Sequence, residues 1–351
     1  MDKPFRVLVV DDSAFVRKVV SQMLSRSPAL EVVGTARDGE EALELVDLRH
    51  PDVITLDLVM PRMNGVEFLR RQNERRRIPV VLCSIAHESG ELALEALEAG
   101  AVDFVQKPTA LATDRVYEIA DELVAKVLAA ASVGHAARPA PPAPVQPARA
   151  VPRSWVTESG AVQAEVVVLG ISTGGPQALR ELIPRLPADF PVPLAIVLHM
   201  PVGYTAMYAR RLNDICALRV VEVEEGARLE PGVAWLAPAG HHLTFVRDPA
   251  GGVCAHLDLS PSDTQHRPAV DVLFRSASDV FGARVLGVVM TGMGTDGLLG
   301  AAHIKAQGGR IVTESESSCV VYGMPRAVVE ASLSDRSATL DEMASAITEM
   351  I

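Results

Sequence analysis

Short apolar runs alternate with helically spaced apolar positions through the first third of the chain. Arg6–Val10, Val32–Thr35, Val53–Asp57, Val80–Cys83 and Val102–Val105 have the length and continuity of strands buried on both faces. Between the first two, Val16, Val19, Val20, Met23 and Leu24 recur at helical spacing. Helical patterns follow over Glu40–Leu48, Gly65–Arg75 and Glu91–Ala99, with a fifth after Thr113. Repeated strand–helix alternation predicts a parallel α/β sheet, doubly wound, with helices on both faces.

The pattern stops at about Ala129. From there to Gly160 the chain is rich in Ala and Pro (AARPAPPAPVQPARAVPRS) and has no apolar period, which predicts a semi-rigid tether. A second α/β pattern then begins. Glu165–Leu169, Leu194–His199, Val285–Met290 and Arg310–Thr313 read as strands. Helices are expected at Pro176–Leu186, Thr205–Leu212, Ala269–Phe281, Gly297–Gln307 and Pro325–Ala331. Arg219–Leu259, with its Gly and Pro turns, reads as hairpin strands added to this sheet. The domains expected are therefore residues 1–128, a linker at 129–160, and residues 161–351.

Composition narrows the function classes. A net charge of −11 and no basic cluster argue against nucleic acid as a partner. Cys83, Cys216, Cys254 and Cys319 are widely spaced with no CxxC, as in reduced thiols of a cytosol. The apolar runs are strand-length, and the first residues lack a signal-peptide core, so a cytoplasmic protein with no membrane insertion is expected.

Ligands of a doubly wound sheet collect at the carboxyl ends of its strands. Asp11 and Asp12 end the first strand, Asp57 the third, Ser84 the fourth and Lys107 the fifth. Three converging carboxylates suit a hard cation such as Mg²⁺, with Asp57 free to attack a phosphoryl group. Lys107 could pair with the resulting charge and Ser84 could hydrogen-bond a phosphoryl oxygen. The segments VVDDS, DLVMPRMNG, CS and FVQKP resemble the response-regulator receiver family, of flavodoxin-like fold, over roughly residues 4–125. That resemblance implies Asp57 as phosphoacceptor. It also implies Asp11, Asp12, Asp57 and the Val59 carbonyl around Mg²⁺, and Ser84 and Phe104 as switch positions.

The second half opens on VVVLGISTGGP, a buried strand running into Gly170-Ile171-Ser172-Thr173-Gly174 and then a helix. This is G-x-S-x-G in a strand–turn–helix setting, which exposes a serine oxygen beside helix N–H groups. A phosphate cradle and a structural turn are the other readings of such a loop. His199 ends the next strand and could act as the base. The His241-His242 pair and His266 fall in loop-like segments and are weaker candidates. Asp296, in the loop after Val285–Met290, could orient His199 or cap the following helix. The order serine, histidine, acid disfavours an α/β-hydrolase.

GISTGGPQAL, LHMP, LAPAGHHL, RPAVDVLFRSAS, MTGMGTDG and VVYGMPRAV together resemble the receptor methylesterase family of bacterial chemotaxis, CheB. Ile171, Ala239 and Ser318-Cys319 depart mildly from the family pattern. The resemblance implies a Rossmann-like catalytic domain with Ser172 as nucleophile, His199 as general base and Asp296 as orienting acid. Thr173 and backbone N–H groups near Met293 would stabilise the oxyanion. It further implies chemoreceptor glutamyl methyl esters and certain glutamines as substrates, a chemotaxis-type sensor histidine kinase as phosphodonor, and no cofactor for the ester step. A hydrolase of some other ester, and a non-catalytic partner-binding regulator, are the rival functions. Control is expected from a receiver that obstructs the Ser172 face until Asp57 is phosphorylated.

Overall fold

The computed structural model describes residues 3–84, 90–107, 115–135 and 163–351. The chain divides into two compact units, Met1–Ala140 and Pro141–Ile351. Residues 136–160, most of the expected tether, lie outside the described residues, as do Pro108 and Thr113.

Among the described residues of the first unit, five strands and five helices alternate. They are β1 (Phe5–Val10), α1 (Ala14–Leu24), β2 (Leu30–Ala36), α2 (Gly39–Arg49), β3 (Val53–Leu56), α3 (Gly65–Arg75), β4 (Val80–Ser84), α4 (Gly90–Glu98), β5 (Asp103–Gln106) and α5 (Arg115–His135). The sheet order is β2-β1-β3-β4-β5, and every pairing is parallel. Side-chain oxygens start the helices where the sequence offers them. Ser13, Asp38 and Asn64 accept from the N–H groups of Val16, Glu41 and Glu67. Helix α5 runs through His135, into the stretch expected as tether, because Val127, Ala130 and Ala131 are buried and continue the helical stripe.

The second unit contains β6 (Val166–Ile171), α6 (Gly175–Leu182), β7 (Leu194–Leu198), α7 (Thr205–Asn213), β8 (Arg219–Glu222) and β9 (Val233–Leu236). It continues with β10 (His242–Arg247), β11 (Val253–Asp258), α8 (Val270–Phe281), β12 (Val285–Val289) and α9 (Leu298–Ala306). It ends with β13 (Arg310–Glu314), α10 (Met324–Glu330), β14 (Arg336–Ala338) and α11 (Leu340–Glu349). Seven strands form one parallel sheet in the order β14-β13-β12-β6-β7-β9-β8. From β6 the chain builds first towards β7 and β8, then returns to add β12, β13 and β14 on the other side. The topological switch therefore lies between β6 and β12, where such sheets bind ligands.

The segment Arg219–Leu259 departs from its expected form. β8 and β9 join the main sheet as parallel neighbours, and only β10 and β11 make a hairpin, in a separate two-stranded sheet. The physical reason is connection length. The ten residues between Glu222 and Val233 allow a crossover, whereas Asp248 Oδ1 folds a tight turn by accepting from Ala250 N and Gly252 N, both at 2.8 Å. The hairpin packs on α8: Phe245 N–H donates to Ser276 Oγ at 2.7 Å, and the Phe245 and Phe281 rings meet edge to face at 6.1 Å. Among the described residues no helix is long and apolar enough to cross a membrane.

Candidate active site and phosphoacceptor pocket

Register brings Ser172 and His199 to adjacent strand ends. Ile171 pairs with Leu198 across β6 and β7, and His199 N–H donates to the Ile171 carbonyl at 3.1 Å. The next position on each strand is Ser172 and His199. Gly174, at φ +79°, lets the chain turn sharply into α6, and Gly175 N–H closes that turn on the Ser172 carbonyl at 2.6 Å. On the other flank, Ser172 N–H donates to the Thr291 carbonyl at 2.9 Å, tying the serine to the loop that follows β12. That loop comes very close: a Cβ on Gly292 would lie 2.8 Å from the Ser172 Cβ. Of the oxyanion candidates, Thr173 is the residue after the serine and Met293 is the residue after Gly292.

The same loop carries Asp296, whose Oδ2 lies 2.9 Å from His199 Nε2. The carboxylate is fully engaged. Oδ2 also accepts from Val270 N at 2.8 Å, and Oδ1 accepts from Asp271 N at 2.9 Å. Burial pushes the Asp296 carboxyl up, but the bond to His199, its charge and the two N–H groups outweigh this and leave it below its ordinary value. An ionised acid on Nε2 places the ring hydrogen there and leaves Nδ1 as the basic nitrogen; Nδ1 is buried and has no hydrogen-bond partner among the described residues. Hydroxyl, imidazole and carboxylate thus sit on three neighbouring strand ends of one sheet.

Of the three weaker histidine candidates, His241 is exposed, and the other two separate. His242 is fully buried, with Nδ1 accepting from Ala269 N at 3.2 Å and Nε2 facing the Pro261 carbonyl at 3.1 Å, a structural arrangement. Burial pushes its pKa down. The His266 ring, by contrast, stacks on His199 with centroids 4.0 Å apart. Its place in a loop gave no periodic signal for that contact. Glu314, which no sequence motif singles out, is wholly buried at the end of β13. It accepts from Thr291 N and from Ser318 Oγ, both at 2.9 Å, beneath the loop that touches Ser172. Burial pushes its carboxyl up.

In the first unit, the strand-end residues also converge. Oxygens of Asp11, Asp12 and Asp57 lie within 4.8 Å of one another. Lys107 Nζ pairs with Asp11 Oδ2, and with Asp57 Oδ2 at 2.8 Å. Burial pulls the Lys107 ammonium down, but the Asp57 and Asp11 charges lift it above its ordinary value. Asp57 Oδ1 accepts from Leu58 N at 2.7 Å, and Val59 follows on an exposed turn. Ser84 is buried at the end of β4. Phe104 is buried on β5, and Lys126 from α5 lies 5.9 Å from its ring centre and donates to its carbonyl at 2.8 Å. Burial raises the Asp11 carboxyl despite Lys107, and the three clustered carboxylates are the oxygen-only donor set that a hard cation takes.

A receiver-type acidic pocket in one unit, and a serine, imidazole and carboxylate at the switch point of the other, define a two-part response regulator with an enzyme-like output. The family model described as "CheB methylesterase" matches residues 167–347, and "Response regulator receiver domain" matches residues 7–116. This chain belongs to the CheB methylesterase family. It is 54% identical over 97% of its length to protein-glutamate methylesterase/protein-glutamine glutaminase 5 of Myxococcus xanthus (strain DK1622), covering 96% of that protein. A relative of the same name from Geobacillus kaustophilus (strain HTA426) is 44% identical, with 99% of each chain covered. The crystal structure of the Thermotoga maritima CheB methylesterase catalytic domain matches at 37% identity and a TM-score of 0.52, over 54% of this chain and 100% of that one.

Proposed function

We propose that this chain is a cytoplasmic, phosphorylation-controlled serine esterase that hydrolyses glutamyl methyl esters on chemoreceptors and deamidates selected receptor glutamines. The observation that carries this reading is the His199–Asp296 pair held one strand from Ser172. Ser172 Oγ attacks the ester carbonyl carbon while its proton passes to His199 Nδ1. Asp296, ionised on Nε2, stabilises the imidazolium that forms. Negative charge on the carbonyl oxygen is met by backbone N–H groups at Thr173 and Met293. The tetrahedral adduct collapses, His199 returns the proton to the methoxide, and methanol leaves. Water then attacks the acyl-enzyme with His199 again as base, giving the glutamate carboxylate and free Ser172. With a glutamine, ammonia leaves in place of methanol, and protonation by His199 carries more of the barrier.

In the receiver, Asp57 takes the phosphoryl group from a chemotaxis-type histidine kinase. Asp11, Asp12, Asp57 and the Val59 carbonyl would hold Mg²⁺, which neutralises phosphoryl oxygens when bound. Lys107 pairs with the added charge, and Ser84 and Phe104 change position in response. The receiver restrains the second unit until then, across the linker at 129–160.

Methanol release from methylated receptor membranes tests the substrate. The full chain should release methanol, and Ser172→Ala should lower the rate by roughly a thousandfold or more. Release from small esters but not from receptors would replace this reading with a general esterase. Unchanged release by the Ser172→Ala protein would remove the serine from the reaction.

A further inference from the structure

Helices α8 and α9 both begin at residues that cannot cap them. The residue at the head of α8 is Ala269, and at the head of α9 it is Gly297, at φ +98°; neither has a side-chain oxygen. Each helix is capped by a carboxylate from the start of the other. Asp296 accepts from Val270 N and Asp271 N at the head of α8. Asp271, the second residue of that helix, accepts at Oδ1 from Gly297 N at 2.9 Å and Gly300 N at 2.7 Å, at the head of α9. Close approach is built in, since a Cβ on Gly300 would meet the Asp271 Cα at 3.1 Å. Gly297 is the residue after Asp296, so whatever fixes the Gly297 N–H also fixes the Asp296 backbone.

The geometry points to Asp271 as a positioning residue for the His199–Asp296 pair: it clamps the loop that presents Asp296 to Nε2. The clamp is reciprocal, because the Asp271 N–H that Asp296 holds belongs to the residue whose carboxylate holds Gly297. Burial pushes the Asp271 carboxyl up, so an uncharged amide with the same acceptor oxygen is a fair substitute at this site. The catalytic role of Asp296 rests on the function proposed above; the positioning of Asp296 against His199 does not.

Two readouts on the full-length protein test it. In Asp271→Ala, three-fold or larger loss of kcat with little change in KM is expected, rising to about a hundredfold if Asp296 shifts by an ångström. In NMR without substrate, the chemical shift of the His199 Nε2–H proton should fall, because a carboxylate out of register makes a weaker hydrogen bond to it. His50, at the end of α2 in the other unit, serves as the internal reference. Asp271→Asn keeps the acceptor and should retain both kcat and the His199 Nε2–H chemical shift. Should the alanine variant not fold, Asp271→Ser, with a shorter reach, takes its place with the same expected directions. An unmoved His199 Nε2–H resonance in the alanine or serine variant overturns the proposal. So does an equal fall in the asparagine variant, which would make charge rather than the clamp responsible. Absence of methanol release by the unaltered protein would defeat the functional reading and leave the NMR test standing.

Discussion

At the scale of single residues, an imidazole is useful only if one nitrogen is committed, so that the other has a defined state. His199 meets that condition through Nε2, bonded at 2.9 Å to a carboxylate whose remaining capacity is filled by two backbone N–H groups. Asp296 cannot swing away without uncapping a helix. Its lowered pKa has a stability consequence whose sign follows directly. The folded-state value lies below the unfolded one, so the ionised carboxylate stabilises the fold at neutral pH. That contribution is lost as pH falls through the folded-state value, below the unfolded reference of about 3.9. Asp296→Asn should therefore melt below the unaltered protein at pH 7, and the gap should close as the solution is acidified into that range. A gap that widens on acidification would mean that Asp296 is held protonated. The sequence named Ser172, His199 and Asp296 because each follows an apolar strand. It gave less weight to His266, whose contact with His199 comes from a loop and has no periodic signature.

Elements supply the precision that side chains alone lack. Strands β6, β7 and β12 are buried along their whole lengths, so their register is fixed by packing and their ends come level. The loop after β12 then approaches the serine so closely that only glycine fits at 292. Gly292→Ala would push a methyl group towards the Ser172 Cβ and the Met324 side chain. We expect a loss of about 1–3 kcal/mol in stability from overpacking and a fall in kcat of up to about a hundredfold. Thermal melting and single-turnover kinetics would separate the two effects; full activity would show that the loop has room to retreat.

Most strands and helices were legible at this scale, because a two-faced buried strand and an amphipathic helix leave different periods. Gly65–Arg75 was read with the boundaries the helix has. Two features were not. The parallel pairing of β8 with β9 depends on where the chain goes after Glu222, which no local pattern encodes. The strand at Arg336–Ala338 is three residues long, too short to show a period. Helix α11, on the other hand, carries a local signal at its start, because Thr339 and Glu342 form a capping box.

The whole molecule joins a receiver to an output unit, and each has its functional groups at the carboxyl edge of a parallel sheet. In the receiver, Lys107 balances Asp11 and Asp57, so adding a phosphoryl group to Asp57 adds charge where a cation already sits. This is a charge change that can shift a population between two states of the receiver. A sequence can mark both chemical centres, because each is built from residues at strand ends. The coupling between the units has no such local signature, and it follows here from the order of the units and the family to which the chain belongs.

The central claim is that Ser172 is a nucleophile made reactive by His199. Its most direct measurement is the site and rate of labelling by a serine-directed phosphonate, followed by peptide mass spectrometry on the full chain. The account predicts the phosphonyl group on Ser172, with a rate at least about a hundredfold lower in His199→Ala and faster after phosphorylation of Asp57. Labelling of some other residue with Ser172 untouched, or equal labelling of Ser172 in the His199→Ala protein, would contradict it.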